Sequence, residues 1–120
     1  MTIEQGEIKV EAVNDQAQYL YITTTGRVTG KLREIEIWFV QANGKFYILA
    51  EHQYTAHWVM NISKNPHVYV RVGSSVFEAS VRVLREEHDR EVWKIVQGLM
   101  LEKYEWDAGL PVEIVPNTKR

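Results

Sequence analysis

The stretch Thr23-Thr24-Thr25-Gly26-Arg27-Val28-Thr29-Gly30-Lys31-Leu32-Arg33-Glu34-Ile35-Glu36-Ile37-Trp38-Phe39-Val40 decides how the chain is read. Its threonines close a run, Tyr19 to Thr25, that is rich in Tyr, Ile and Thr and stopped by Gly26, the composition of a strand. Its second half, Glu34 to Val40, alternates. Ile35, Ile37 and Phe39 fall on one face and Glu34, Glu36 and Trp38 on the other, the period of a half-buried strand. Between the two strands, Gly26 and Gly30 allow a tight turn, and Arg27, Lys31 and Arg33 fall within seven positions. A turn there gathers the three cations at one end of a sheet, with the hydroxyls of Thr24, Thr25 and Thr29 as neutral donors. Two readings stand open: a solvated basic hairpin tip, or a site for a phosphate or carboxylate.

Outward from this stretch the turn chemistry continues. Asn43-Gly44 is a strong two-residue hairpin signal, with Lys45 to Ala50 as the returning strand. The period then changes: Thr55 is placed to cap a short helix whose Trp58, Val59 and Ile62 share a face, and Asn65-Pro66 stops it. Val68, Val70 and Val72 alternate with Tyr69 and Arg71, Gly73-Ser74 makes a second tight turn, and Phe77, Ala79, Val81 and Val83 alternate on the way back. From Glu87 to about Tyr104, apolar residues recur as Val92, Ile95, Val96 and Leu99 and as Trp93, Val96 and Met100, the stripe of an amphipathic helix. Gly109-Leu110-Pro111 leads to a last strand, Val112 to Val115, and Glu7 to Val13 is a candidate for one more.

Tight antiparallel turns without a βαβ unit predict a mainly β fold with two helices: a small closed or split antiparallel barrel with helices packed outside. At 120 residues the chain is expected to form one domain, 1–120, large enough to bury a core. With 45% hydrophobic residues it is not a disordered chain, and it has no apolar run of membrane-spanning length. A net charge of −2 argues against a nucleic-acid partner. The absence of cysteine removes thiolate chemistry and disulfides. The acidic start lacks the pattern of a signal peptide, so a cytoplasmic location is expected.

Few side chains point to nucleophilic or metal chemistry. His52, His57, His67 and His88 lack helical metal-ligand spacing, and no serine sits in a nucleophile elbow, so neither a metal nor a catalytic side chain is assigned. Most of the tryptophans and tyrosines read as core or dimer contacts. Trp38 differs: it shares a strand face with two glutamates and is placed to flank a planar ring.

The blocks ITTTGRVTGKLREIEIWFV, GKFYILA, HWVMNISKNPHVYVRV and GLPVEIVP, in that order, resemble the flavin- and deazaflavin-binding split β-barrel superfamily, the pyridoxamine 5′-phosphate oxidase-like proteins. The nearest likeness is to the deazaflavin (F420)-dependent nitroreductase and quinone reductase branch, and it runs from about Tyr19 to Pro116. The resemblance implies a homodimeric split barrel that binds FMN or F420 in a groove between subunits and passes hydride or electrons to a small acceptor such as a quinone or nitro compound. It implies that Lys31 and Arg33, with Arg27 as a weaker third, serve the cofactor's phosphate or acidic tail. The strand Glu34, Ile35, Glu36, Ile37 and Trp38 then faces the ring. Trp58 on the short helix reads first as a core plug and second as a ligand contact. Where the branch carries a Ser- and Gly-containing phosphate loop, this chain has Glu51-His52-Gln53-Tyr54. Either His52, Gln53 and the helix start at Thr55 hold the phosphate there, or the cofactor sits differently. A non-catalytic dimer of the same fold that stores a flavin or tetrapyrrole is the alternative.

Overall fold

A computed structural model describes residues 17–51 and 57–117. The expected strand at Glu7 to Val13, the cap at Thr55 and the candidates His52 and Gln53 lie outside them. The described elements run β1 (Leu20–Thr25), β2 (Leu32–Ile37), β3 (Val40–Ala42), β4 (Lys45–Ala50), α1 (His57–Lys64), β5 (His67–Val72), β6 (Ser75–Val83), α2 (Arg90–Tyr104) and β7 (Leu110–Pro116).

All strand pairs are antiparallel, and the seven strands form one sheet in the order β2-β1-β5-β6-β7-β4-β3. Both expected tight turns form. In the β3–β4 hairpin Asn43 (φ 55°) and Gly44 (φ 76°) both have positive φ, the combination that matches the twist of its strands. The β5–β6 hairpin turns at Gly73-Ser74, bringing Val72 opposite Ser75.

The expected single strand from Glu34 to Val40 is two strands. Pairing with β1 ends at Ile37, and Val40 opens β3 at the opposite edge of the sheet. Only Trp38 and Phe39 connect them, a span of at most about 11 Å between the Cα atoms of Ile37 and Val40. The edges of a flat seven-stranded sheet lie roughly 29 Å apart. The sheet is therefore curled until its two edges nearly meet, which is the split barrel.

Ile22, Ile48, Val70, Phe77, Val112 and Ile114 point inward, and Phe39 fills the core from the crossover, its ring 5.8 Å from that of Phe46. α1 adds Val59 and Ile62 to the core. α2 lies outside, burying Val96 and Met100 against Val40, Tyr47, Leu49 and Leu84. That is why β4 is buried on both faces: Phe46 and Ile48 face the barrel, while Tyr47 and Leu49 face the helix.

A polar row runs beneath the start of α2. Glu113 on β7 lies between Tyr47 on β4 and Arg82 on β6, and it is only 5% exposed. Its carboxylate accepts a hydrogen bond from the Tyr47 hydroxyl (2.8 Å) and pairs with Arg82 (3.3 Å) and Lys45 (3.6 Å). Arg82 reaches on to Asp89, which also accepts from the backbone N–H of Arg85 at 2.8 Å. This Arg85–Asp89 turn takes up the residues before Arg90, so α2 starts three residues later than the expected Glu87.

Candidate functional site

The turn between β1 and β2 is held from within. Gly26 N–H donates to the Lys31 carbonyl (2.7 Å), Gly30 N–H to the Gly26 carbonyl (2.9 Å), and Lys31 N–H to the Thr29 hydroxyl (3.2 Å). The turn is also held from α1. Asn61 Oδ1 accepts from Arg27 twice, from its backbone N–H at 3.1 Å and from Nη1 at 2.9 Å. Arg27 is thus committed to a structural contact. Lys31 and Arg33 are exposed, and among the described residues neither side chain has a carboxylate partner.

Among the described residues β2 is an edge strand, paired with β1 alone, so one side of its main chain has no described sheet partner. Beside it lies a cavity of about 540 Å³, within the range of cofactor and ligand pockets. β2 and the crossover supply Ile35, Glu36, Ile37 and Trp38, the end of β4 supplies Leu49 and Glu51, and α1 supplies Trp58. Met100 and Trp106 come from the end of α2 and just beyond it, and Tyr19 precedes β1. Residues from β2 and from β4, the neighbour of edge strand β3, meet in this lining, so the cavity sits where the barrel is split.

Of the sequence-derived candidates, Ile35, Glu36, Ile37, Trp38 and Trp58 meet in this lining. Arg27, Lys31, Arg33 and Glu34 are not part of it. Glu34 lies on the outer face and pairs with Arg71 at 3.3 Å. Glu36 accepts the hydroxyl hydrogen of Tyr21 at 2.5 Å, and this raises the Tyr21 pKa. One face of Trp38 is already taken: it stacks on Tyr104 with ring centroids 4.5 Å apart and planes within 6°. A flat ligand can meet Trp38 only on its other face or its edge. Trp58 touches the core as well as the cavity, so it is both plug and wall.

Sequence reasoning gave no role to Asn61, which is 4% exposed. Its signal was present: an amide within Trp58-Val59-Met60-Asn61-Ile62, where the apolar face of α1 turns inward. Leu49, Met100 and Tyr19 carried no such signal, because only the tertiary fold brings them to the cavity.

Among known families, the model for the F420H(2)-dependent quinone reductases matches residues 4–115. The chain belongs to that family. It is an oxidoreductase of the split-barrel kind. An F420-H2-dependent reductase structure shares 31% identity with it over 82% of this chain and 93% of the other, at a TM-score of 0.62. A second structure, a domain-swapped dimer, is 30% identical over 82% of this chain and 79% of its own, at a TM-score of 0.63. The Vibrio cholerae haem storage protein HutZ overlays with a TM-score of 0.71 over 97% of this chain and 93% of its own. At 17% identity that likeness is one of fold alone. The family match does not favour a storage role for this family member.

Proposed function

We propose that the protein is an F420H2-dependent reductase of flat acceptors such as quinones or nitro compounds, and that it works as a homodimer. The observation that carries this reading is one juxtaposition: an aromatic-walled cavity at the split, bordered by a strand edge with no partner among the described residues, with two cations, Lys31 just before that strand and Arg33 within it, that no described carboxylate pairs.

The donor set fits a deazaflavin. A planar heterocycle with polar edges needs apolar surfaces for its faces and main-chain groups for its rim. Ile35, Ile37, Trp38 and Trp58 offer the first, and the free edge of β2 offers the second. Lys31 and Arg33 suit an anionic tail, with charge-assisted hydrogen bonds available from both. His52 and Gln53, which follow Glu51 in sequence, belong to the same proposed set. Hydride transfer to the acceptor is the chemistry supplied by the reduced deazaflavin when bound. The chain's own part is to orient the ring along β2, to keep water away with Trp38, Trp58, Met100 and Trp106, and to hold the acceptor flat against the ring. No side-chain nucleophile is required.

Two features support F420 over FMN as the cofactor and a homodimer as the working unit. The family match is to F420H(2)-dependent enzymes. Among the described residues the outer face of β2-β1-β5-β6 carries no helix and leaves Leu32 (61%) and Val76 (70%) exposed, as a face covered by a second copy would.

The test is a parallel titration of the purified protein with F420 and FMN at fixed salt, followed by mixing with F420H2 and 2-methyl-1,4-naphthoquinone. Saturable F420 binding at one site per chain and consumption of F420H2 by the quinone are expected. Tighter binding of FMN than F420, or binding of neither, would refute the cofactor assignment. F420 binding without turnover by any quinone or nitroaromatic would remove the acceptor class and leave the cofactor.

A further inference from the structure

The last turn of α2 does more than line the cavity. Met100 and Trp106 form part of the wall, and Tyr104 between them lies partly buried behind Trp38. The Tyr104 hydroxyl has three close polar neighbours: Phe39 N at 3.1 Å, the Phe39 carbonyl at 2.9 Å and the Gln18 carbonyl at 2.8 Å. A phenol holds one proton, so it cannot donate to both carbonyls at once.

Lys103 resolves the conflict. Its ammonium lies 3.0 Å from the Phe39 carbonyl and 3.9 Å above the Phe39 ring, so that carbonyl has a donor of its own. The Tyr104 proton is then available to Gln18, while the hydroxyl oxygen accepts from Phe39 N–H. Each group at this junction has a partner, and one oxygen ties together three segments: the lead into β1, the β2–β3 crossover and the end of α2.

Each of those segments carries a cavity wall. Gln18 precedes Tyr19, Phe39 follows Trp38, and Tyr104 lies between Met100 and Trp106. We propose that Tyr104 is the positioning residue of the cavity, its hydroxyl holding the Trp38 and Tyr19 walls at the spacing a flat ligand requires. The inference about wall geometry is independent of which ligand enters. Its expected effect on acceptor binding rests on the proposed function.

Ring and hydroxyl are separable. Tyr104→Phe keeps the ring that stacks on Trp38 but leaves Phe39 N–H without an acceptor and the Gln18 carbonyl without a donor. The first readout needs no ligand: the near-ultraviolet circular dichroism of Trp38, identified by difference against Trp38→Phe, and the hydrogen-exchange protection of the Phe39 amide. In Tyr104→Phe both are expected to fall at a temperature where the variant is fully folded. The second readout is quenching of tryptophan fluorescence by 2-methyl-1,4-naphthoquinone, with affinity expected to weaken about tenfold, the scale of one lost ordering hydrogen bond. A residue that only stabilised the fold would lower the melting temperature and leave the Trp38 signal and the affinity unchanged, and that result overturns the proposal.

Should Tyr104→Phe fail to fold, Lys103→Met supplies the same test in weaker form. It leaves the Phe39 carbonyl to compete for the Tyr104 proton, and the Trp38 signal is expected to fall partway; an unchanged signal there overturns the proposal equally. If the wild-type protein does not bind the quinone, the acceptor class fails, while the ligand-free signals still decide the role of Tyr104.

Discussion

A single side-chain oxygen, Asn61 Oδ1, joins α1 to the basic turn through both the main chain and the side chain of Arg27. Asn61→Leu leaves an N–H and a guanidinium arm without their acceptor at a partly buried site, an effect of about 1–3 kcal/mol. Urea unfolding is expected to show an unfolding free energy lower by that amount and a correspondingly lower midpoint, and an unchanged midpoint would mean that Arg27 finds water instead. Under α2 the polar row sets the pH response. Burial, then the hydrogen bond to Glu113, holds the Tyr47 pKa well above the usual tyrosine range. A folded-state pKa that is raised means stability present in full below the ordinary tyrosine value of 10.0 and lost as pH rises beyond it. Asp89 runs the other way: the Arg85 N–H, then Arg82, hold its pKa below the ordinary 3.8, so its contribution is present above that value and lost as pH falls further. Unfolding curves across pH should therefore lose part of their alkaline limb in Tyr47→Phe, Tyr21 and Tyr104 keeping the rest, and part of their acid limb in Asp89→Asn. If the limbs persist unchanged in both variants, other groups control them.

At the scale of elements, the basic turn is the part whose removal separates binding from folding. Lys31→Ala with Arg33→Ala removes two exposed cations that no described carboxylate uses, so the melting temperature should stay within a degree or two while F420 affinity is lost. Retained affinity in the double variant would place the anionic tail elsewhere. The same scale shows what the chain made legible. Asn43-Gly44 and Gly73-Ser74 are readable because each turn is a local demand on backbone geometry, met by the residues that occupy it. The break at Trp38-Phe39 is not readable. Phe39 goes inward and Trp38 does not, so the period-two pattern of β2 runs on through residues that no longer belong to it, with no Gly or Pro to mark the change. The β2 part of the cavity could be read from that alternation, whereas Leu49, Met100 and Tyr19 come from distant segments and leave no local trace.

At the scale of the whole molecule, α2 covers the outer face of one part of the sheet, and no described element covers the other part. Leu32→Glu with Val76→Glu adds two charges to that other part without touching the core, and sedimentation is expected to show a homodimer converted to monomer. A wild-type monomer under the same conditions would remove the dimer altogether. Strand order was the least legible property of all, because it is decided by pairings far apart in sequence, such as Phe46 with Ile114. β7 illustrates the point: last of the described strands in the chain, it lies between β6 and β4 and is the one described strand that pairs with both β2-β1-β5-β6 and β4-β3. During synthesis, then, a nascent chain has two ribbons, tied through the Trp38-Phe39 crossover but not yet paired through β7, until residues 110–116 have left the ribosome. Closure is a late event, and chaperones that shield open edges have their longest opportunity just before it.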